Sequence, residues 1–175
     1  MSFRLSALAL LVFVSPHTVF AAPAYPKPDL SWEAQARGAC KSGEFGMFLE
    51  AFVRSENVQK QYTAEVVRVT RLGKTKRVKG RHYGPIPIEM MDYHFIVRGS
   101  ADVASGSVPL KVETQPYGKG GYRLDWIRAT YNDLGEGDSL GEIISTEGPP
   151  GYLIFKKNYN CWELTNDVVA EVDRK

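Results

Sequence analysis

The strongest periodicity in the chain is an apolar stripe at helical spacing. Phe45, Phe48, Leu49 and Phe52 fall at i, i+3, i+4 and i+7, on one face of a helix predicted over residues 43–54. Ser42 is placed to cap this helix, and Glu44 suits the positive end of its dipole. Ser55 interrupts the stripe and predicts a second, short helix carrying Val58 and Tyr62. Three phenylalanines on one stripe need a broad apolar partner, which a β-sheet supplies.

Beyond Tyr62 the helical period is lost and strand signals take over. Val66, Val67 and Val69 are β-branched, Gly73 marks a turn, and Gly84-Pro85-Ile86-Pro87 breaks the pattern, because proline cannot donate to a central ladder. Residues 93–98 and 108–113 read as strands, with a turn at residues 118–121. Along residues 122–131 the apolar phase slips: Tyr122, Leu124 and Trp126 share one face, then Ile127, Ala129 and Tyr131 the other. Such a slip predicts a β-bulge or a strongly bent strand. Residues 132–151 read as a long loop ending in Gly148-Pro149-Pro150-Gly151. Residues 152–155 and 161–164 form a closing hairpin with Trp162 and Leu164 facing inward. The expected class is α+β: N-terminal helices packed on a strongly bent antiparallel sheet.

The first residues carry a different pattern. Arg4 precedes an apolar run from Leu5 to Val14, and Val19-Phe20-Ala21 satisfies a small-residue cleavage rule. That order predicts a signal peptide over residues 1–21, and the apolar run is shorter than the roughly twenty residues of a membrane span. Residues 22–41, rich in proline at their start, are expected to form an extended arm before a single domain over residues 42–175. The expected location is the periplasm or the exterior. Arg4 is the only charge in the first 21 residues, so cleavage lowers the net charge from +2 to +1 (22 − 1 cations against 20 acids). This balance predicts no nucleic-acid partner, and no second apolar segment is long enough for an integral membrane protein. An oxidising compartment favours pairing Cys40 with Cys161 over two buried free thiols. Closing so long a loop contributes up to about 4 kcal/mol in the chain-entropy view.

Two segments carry a resemblance. Phe45-Gly-Met-Phe48-Leu-Glu-Ala-Phe52 with Val58-Gln59, and Tyr152-Leu-Ile-Phe155-Lys-Lys-Asn-Tyr-Asn-Cys-Trp162-Glu-Leu164, resemble uncharacterised secreted bacterial members of the nuclear-transport-factor-two-like superfamily. That resemblance implies a cone-shaped, cystatin-like α+β fold. The superfamily includes ketosteroid isomerase, along with carriers and partner-binding modules, so it implies no single activity.

Candidate chemistry is sparse. An isomerase-like site pairs a carboxylate with a hydroxyl inside an apolar cone, and Asp92, Asp125 and the neighbouring His94 are the weak candidates. Against this, the aspartates read as solvent-facing or ion-paired, and Tyr62, Tyr93 and Tyr131 as core aromatics. The two cysteines and three scattered histidines have no metal-ligand spacing, so neither a metal nor a cofactor is expected. Asp133, Glu136, Asp138 and Glu142 lie among glycines without the alternation that a calcium loop needs.

The charge pattern is more informative. Arg68, Arg71, Lys74, Lys76, Arg77, Lys79 and Arg81 place seven cations in fourteen residues without an acid. Such segregation speeds association with a charged partner, although edge lysines also serve to block strand pairing. Arg68, Arg71, Arg77, Lys79 and Arg81, with Trp126 and Tyr131 on the bent strand, are therefore the candidate binding residues. The partner is expected to be a protein or an anionic envelope component. Taken together these features point to an exported, non-enzymatic binding protein, an inhibitor or immunity-type protein being one form. The alternative is a small-ligand isomerase-like enzyme using Asp125 or Asp92.

Overall fold

The computed structural model describes residues 28–100, 107–132, 141–159 and 161–170. The expected signal peptide and most of the acidic loop, residues 133–140, lie outside them. Three helices come first: α1 (Pro28–Ser42), α2 (Phe45–Arg54) and α3 (Glu56–Gln61). Eight strands follow: β1 (Thr63–Arg71), β2 (Lys74–Lys79), β3 (Ile88–Met91), β4 (His94–Val97), β5 (Leu110–Tyr117), β6 (Gly121–Tyr131), β7 (Ile143–Asn158) and β8 (Cys161–Val169). A 3-10 turn at Gly80–His82 links β2 toward β3. Six strands make one sheet in the order β2-β1-β8-β7-β6-β5, and β3 and β4 pair separately. Among the described residues, no helix is long and apolar enough to cross a membrane.

The phenylalanine stripe does what its spacing predicts. Phe48 and Phe52 are fully buried and Phe45 nearly so, in one cluster with Leu124, Leu153, Phe155, Trp162 and Leu164 from the sheet. Phe48 meets Tyr62, Phe155 and Trp162, with ring centroids 5.3, 6.1 and 5.3 Å away. Phe45 stacks on Tyr122 at 4.1 Å. The Trp162 indole N–H donates to the Gly120 carbonyl at 3.0 Å, so its polar edge is satisfied inside an apolar cluster. The Cys40–Cys161 disulfide joins α1 to the start of β8, with the Cα atoms 4.6 Å apart.

Five expectations need correction. The extended arm over residues 22–41 is helical from Pro28 onward, giving three helices in place of two. Its inward residues Trp32, Ala36, Ala39 and Cys40 do follow i, i+4, i+7 and i+8, but small side chains make a faint stripe. Ser42 consequently ends α1, its hydroxyl donating to the Ala39 carbonyl, while Glu44 stands at the start of α2 without a side-chain cap. Ser55 does cap α3, accepting from the Val58 N–H at 3.3 Å.

The sheet is mixed. β1 and β8 run parallel, with Arg68 opposite Asn166 and Val69 opposite Asp167. A hairpin joins only antiparallel neighbours, and here the rest of the domain serves as the long connection that a parallel pair requires. Alternation along a strand carries no information about a partner's direction.

The long loop is also shorter than expected, because β7 begins at Ile143. Trp126 pairs with Gly151 and Arg128 with Glu147, so Ile127 alone faces residues 148–150. Both prolines sit in this bulge, where no ladder bond is owed by their nitrogens. The bend falls where the apolar phase slips: Leu124 and Trp126 are buried before it and Ala129 after it. A side chain at Gly151 would place its Cβ 2.2 Å from Cζ2 of Trp126, so the indole lies directly on bare backbone. Finally, Tyr93 is 70 % exposed at the β3–β4 turn and is not a core aromatic.

Candidate functional site

The cationic segment forms the β1–β2 hairpin, turned at Leu72-Gly73, with β2 as the sheet edge. Val67, paired with Val78, is fully buried and fixes which face looks inward. Arg68 lies directly opposite Arg77, and Lys79 opposite Val66, on the outward face. Thr70 and Thr75 bond through their hydroxyls at 2.8 Å on that same face and hold the register beneath the arginines. Among the described residues, Arg68, Lys74, Lys76, Arg77, Lys79 and Arg81 have no ion-pair partner. Like charges directly opposed across a ladder are unfavourable, so this face accumulates positive charge against the interest of the hairpin itself.

Arg71 behaves differently. Its guanidinium turns inward to the Asp167 carboxylate at 2.5 Å and also donates to the Asp167 carbonyl at 3.1 Å. Asp167 is 1 % exposed, and its Oδ2 also accepts from the Tyr83 hydroxyl at 2.6 Å, whereas its Oδ1 has no hydrogen-bond partner among the described residues. Burial, reinforced by this carboxylate, pushes the Tyr83 phenol far above the ordinary tyrosine range. Sequence reasoning missed this cluster. A lone acid beside Val168 and Val169 in the closing strand was its only signal.

The hairpin base opens on a recess of about 660 Å³ lined by Lys60, Thr63, Glu65, Lys79, Arg81 and Tyr83. Gly80 is required there: a Cβ would stand 2.2 Å from the Ala64 carbonyl oxygen, so the 3-10 turn approaches β1 only as bare backbone. Lys79 and Arg81 were expected to bind; Lys60, Thr63 and Tyr83 join them only through the fold.

The carboxylate candidates do not converge. Asp92 sits at the exposed β3–β4 turn with its carbonyl accepting from Arg54, and His94 is half-buried opposite Met91. Asp125 lies on the sheet face opposite Leu124 and Trp126, where it accepts from Arg123 at 2.5 Å and from Gln115 at 2.8 Å. With Lys111, Ile127 and Gly151 it borders a shallow recess of about 130 Å³. The buried Trp126 indole N–H has no acceptor among the described residues. The Tyr131 hydroxyl donates to the Leu110 carbonyl at 3.3 Å, and burial raises its phenol. No group of three or more His, Cys, Asp or Glu side chains suited to a metal occurs among the described residues.

No protein-family model matches the chain, and no curated protein does. Several solved structures are similar. A DUF4783 family protein from Bacteroides ovatus is 12 % identical, with 81 % of this chain and 96 % of that one covered and a TM-score of 0.37. Another, from Bacteroides fragilis, is 10 % identical over 79 % and 96 %, also with a TM-score of 0.37. A protein of the nuclear-transport-factor-two-like family from Streptomyces avermitilis is 12 % identical over 83 % and 97 %, with a TM-score of 0.28. The neighbours thus include DUF4783 and nuclear-transport-factor-two-like proteins, and the α+β assignment itself rests on this chain's own helices and strands.

Proposed function

We propose that this is an exported, non-enzymatic binding protein that captures an anionic partner on the outward face of its β1–β2 hairpin. The carrying observation is the Arg68–Arg77 opposition, flanked by Lys79, with no acid in ion-pair reach among the described residues. An anionic partner would neutralise charges that the hairpin holds together at a cost, and would be steered toward them before contact. The apolar run behind Arg4 and the disulfide support export. An inhibitor or immunity-type role against an acidic protein delivered to the periplasm is the specific form that suits this size and charge segregation.

The test is retention on immobilised polyglutamate at low salt. Wild-type protein should be held and released by added salt, and the double variant Arg77→Glu/Lys79→Glu should lose at least tenfold in affinity. Undiminished retention by that variant would remove the hairpin from the account. The isomerase-like alternative would need Asp125 or Asp92 in an apolar cavity. Asp125 is instead engaged by Arg123 on the outer face, while Phe48, Phe52 and Trp162 occupy the core.

A further inference from the structure

Building on the anion-binding hairpin, we infer that the recess at its base is a binding site for an acidic sugar, a hydroxylated ring bearing a carboxylate or phosphate. Three cations converge there from separate elements: Lys60 from the last turn of α3, Lys79 from the end of β2 and Arg81 from the 3-10 turn. None has an ion-pair partner among the described residues. Convergence from three elements makes a concave charge, unlike the flat row along β2. At about 660 Å³ the recess has the size of a small-molecule site.

Its remaining wall decides the ligand class. Tyr83 is half-buried there, and its hydroxyl is committed to Asp167, so its ring is held in one orientation before any ligand arrives. A ring fixed in advance is a platform for the apolar face of a sugar and costs little ordering on binding. Glu65 lines the same recess and has no ion pair among the described residues. A bare inorganic anion gains nothing from that carboxylate, whereas sugar hydroxyls donate to it. Ala64 is the one purely aliphatic side chain among the described lining residues, so the apolar part of the wall is supplied largely by the Tyr83 ring and the stems of the cationic side chains, beside their charges.

The experiment is calorimetric titration of the purified protein at low salt with digalacturonate, glucose 6-phosphate, glucose and inorganic phosphate, followed by amide-shift mapping. At least one acidic sugar should bind saturably, with glucose and inorganic phosphate each at least tenfold weaker. The digalacturonate and glucose 6-phosphate arms distinguish a uronate from a phosphorylated ring. Shifts should centre on Thr63, Gly80 and Tyr83. Lys60→Glu or Arg81→Glu, both at solvent-facing positions, should weaken binding at least tenfold, and Arg68→Glu less than threefold. The inference is overturned if neither acidic sugar binds, if inorganic phosphate binds as well as either, or if the shifts centre on Arg68 and Arg77. Retention on polyglutamate separates the two readings: if it survives while the sugars fail, the hairpin reading stands and the recess assignment does not.

Discussion

The Tyr83 hydroxyl donates to the Asp167 carboxylate at 2.6 Å and so ties the segment after β2 to the last strand of the sheet, 84 residues away. Arg71 completes the cluster from β1, so three segments distant in sequence meet at one buried acid. Removing the phenol leaves Arg71 as the remaining side-chain donor to a buried carboxylate, which is then less well satisfied. Tyr83→Phe should therefore lower stability by about 1–3 kcal/mol in urea unfolding, with the sheet otherwise intact. A change within error would show that Asp167 does not depend on the phenol.

The same bond sets a pH dependence. Burial first, and the Asp167 charge second, raise the Tyr83 phenol above its ordinary value of 10.0. A folded-state value above the unfolded one means that the contribution is complete below about pH 10 and is lost as pH climbs toward the folded value. Tyr62 and Tyr131 are raised as well, mainly by burial, and act in the same direction. Urea midpoints should stay level from neutral pH and then fall on the alkaline side. The fall should be shallower in Tyr83→Phe, and equal slopes for the two proteins would contradict this linkage.

The disulfide spans 121 residues and joins α1 to β8. Replacing Cys40 and Cys161 by alanine should lower stability by about 2–4 kcal/mol. Intact protein analysed without reductant should weigh two hydrogens less than the dithiol form. Two free thiols in the unreduced protein would refute the pairing.

Trp126 lies against Gly151 at a distance that leaves no room for a methyl group. Gly151→Ala should lower stability by roughly 1–3 kcal/mol as the indole is displaced, with a change in tryptophan fluorescence. An unshifted spectrum and full stability would mean that the bulge can slide to make room.

Arg77→Glu separates binding from stability. It converts the cross-strand Arg68–Arg77 repulsion into attraction, so the variant should be more stable than wild type by roughly 0.2–1 kcal/mol while holding polyglutamate less well. A variant that lost stability and binding together would indicate that the arginine supports the hairpin instead of serving a partner.

The sequence by itself determined the elements with strong local signals. Phe45, Phe48, Leu49 and Phe52 specified α2 and its buried face, Ser55 specified the start of α3, and the slip after Trp126 located the bend. These are one-dimensional facts, because spacing along the backbone dictates which side chains share a face. Tertiary structure alone decided the rest. α1 buries mainly alanines, whose stripe is too weak to read, and the prolines of β7 are tolerated only because β7 itself bulges there, three of its residues standing against Ile127 of β6. The parallel union of β1 with β8, the Arg71–Asp167–Tyr83 cluster and the recess that gathers Lys60 with Arg81 all depend on segments remote in the chain. No local pattern encodes such meetings; they arise when burial of the aromatic core fixes how the sheet closes.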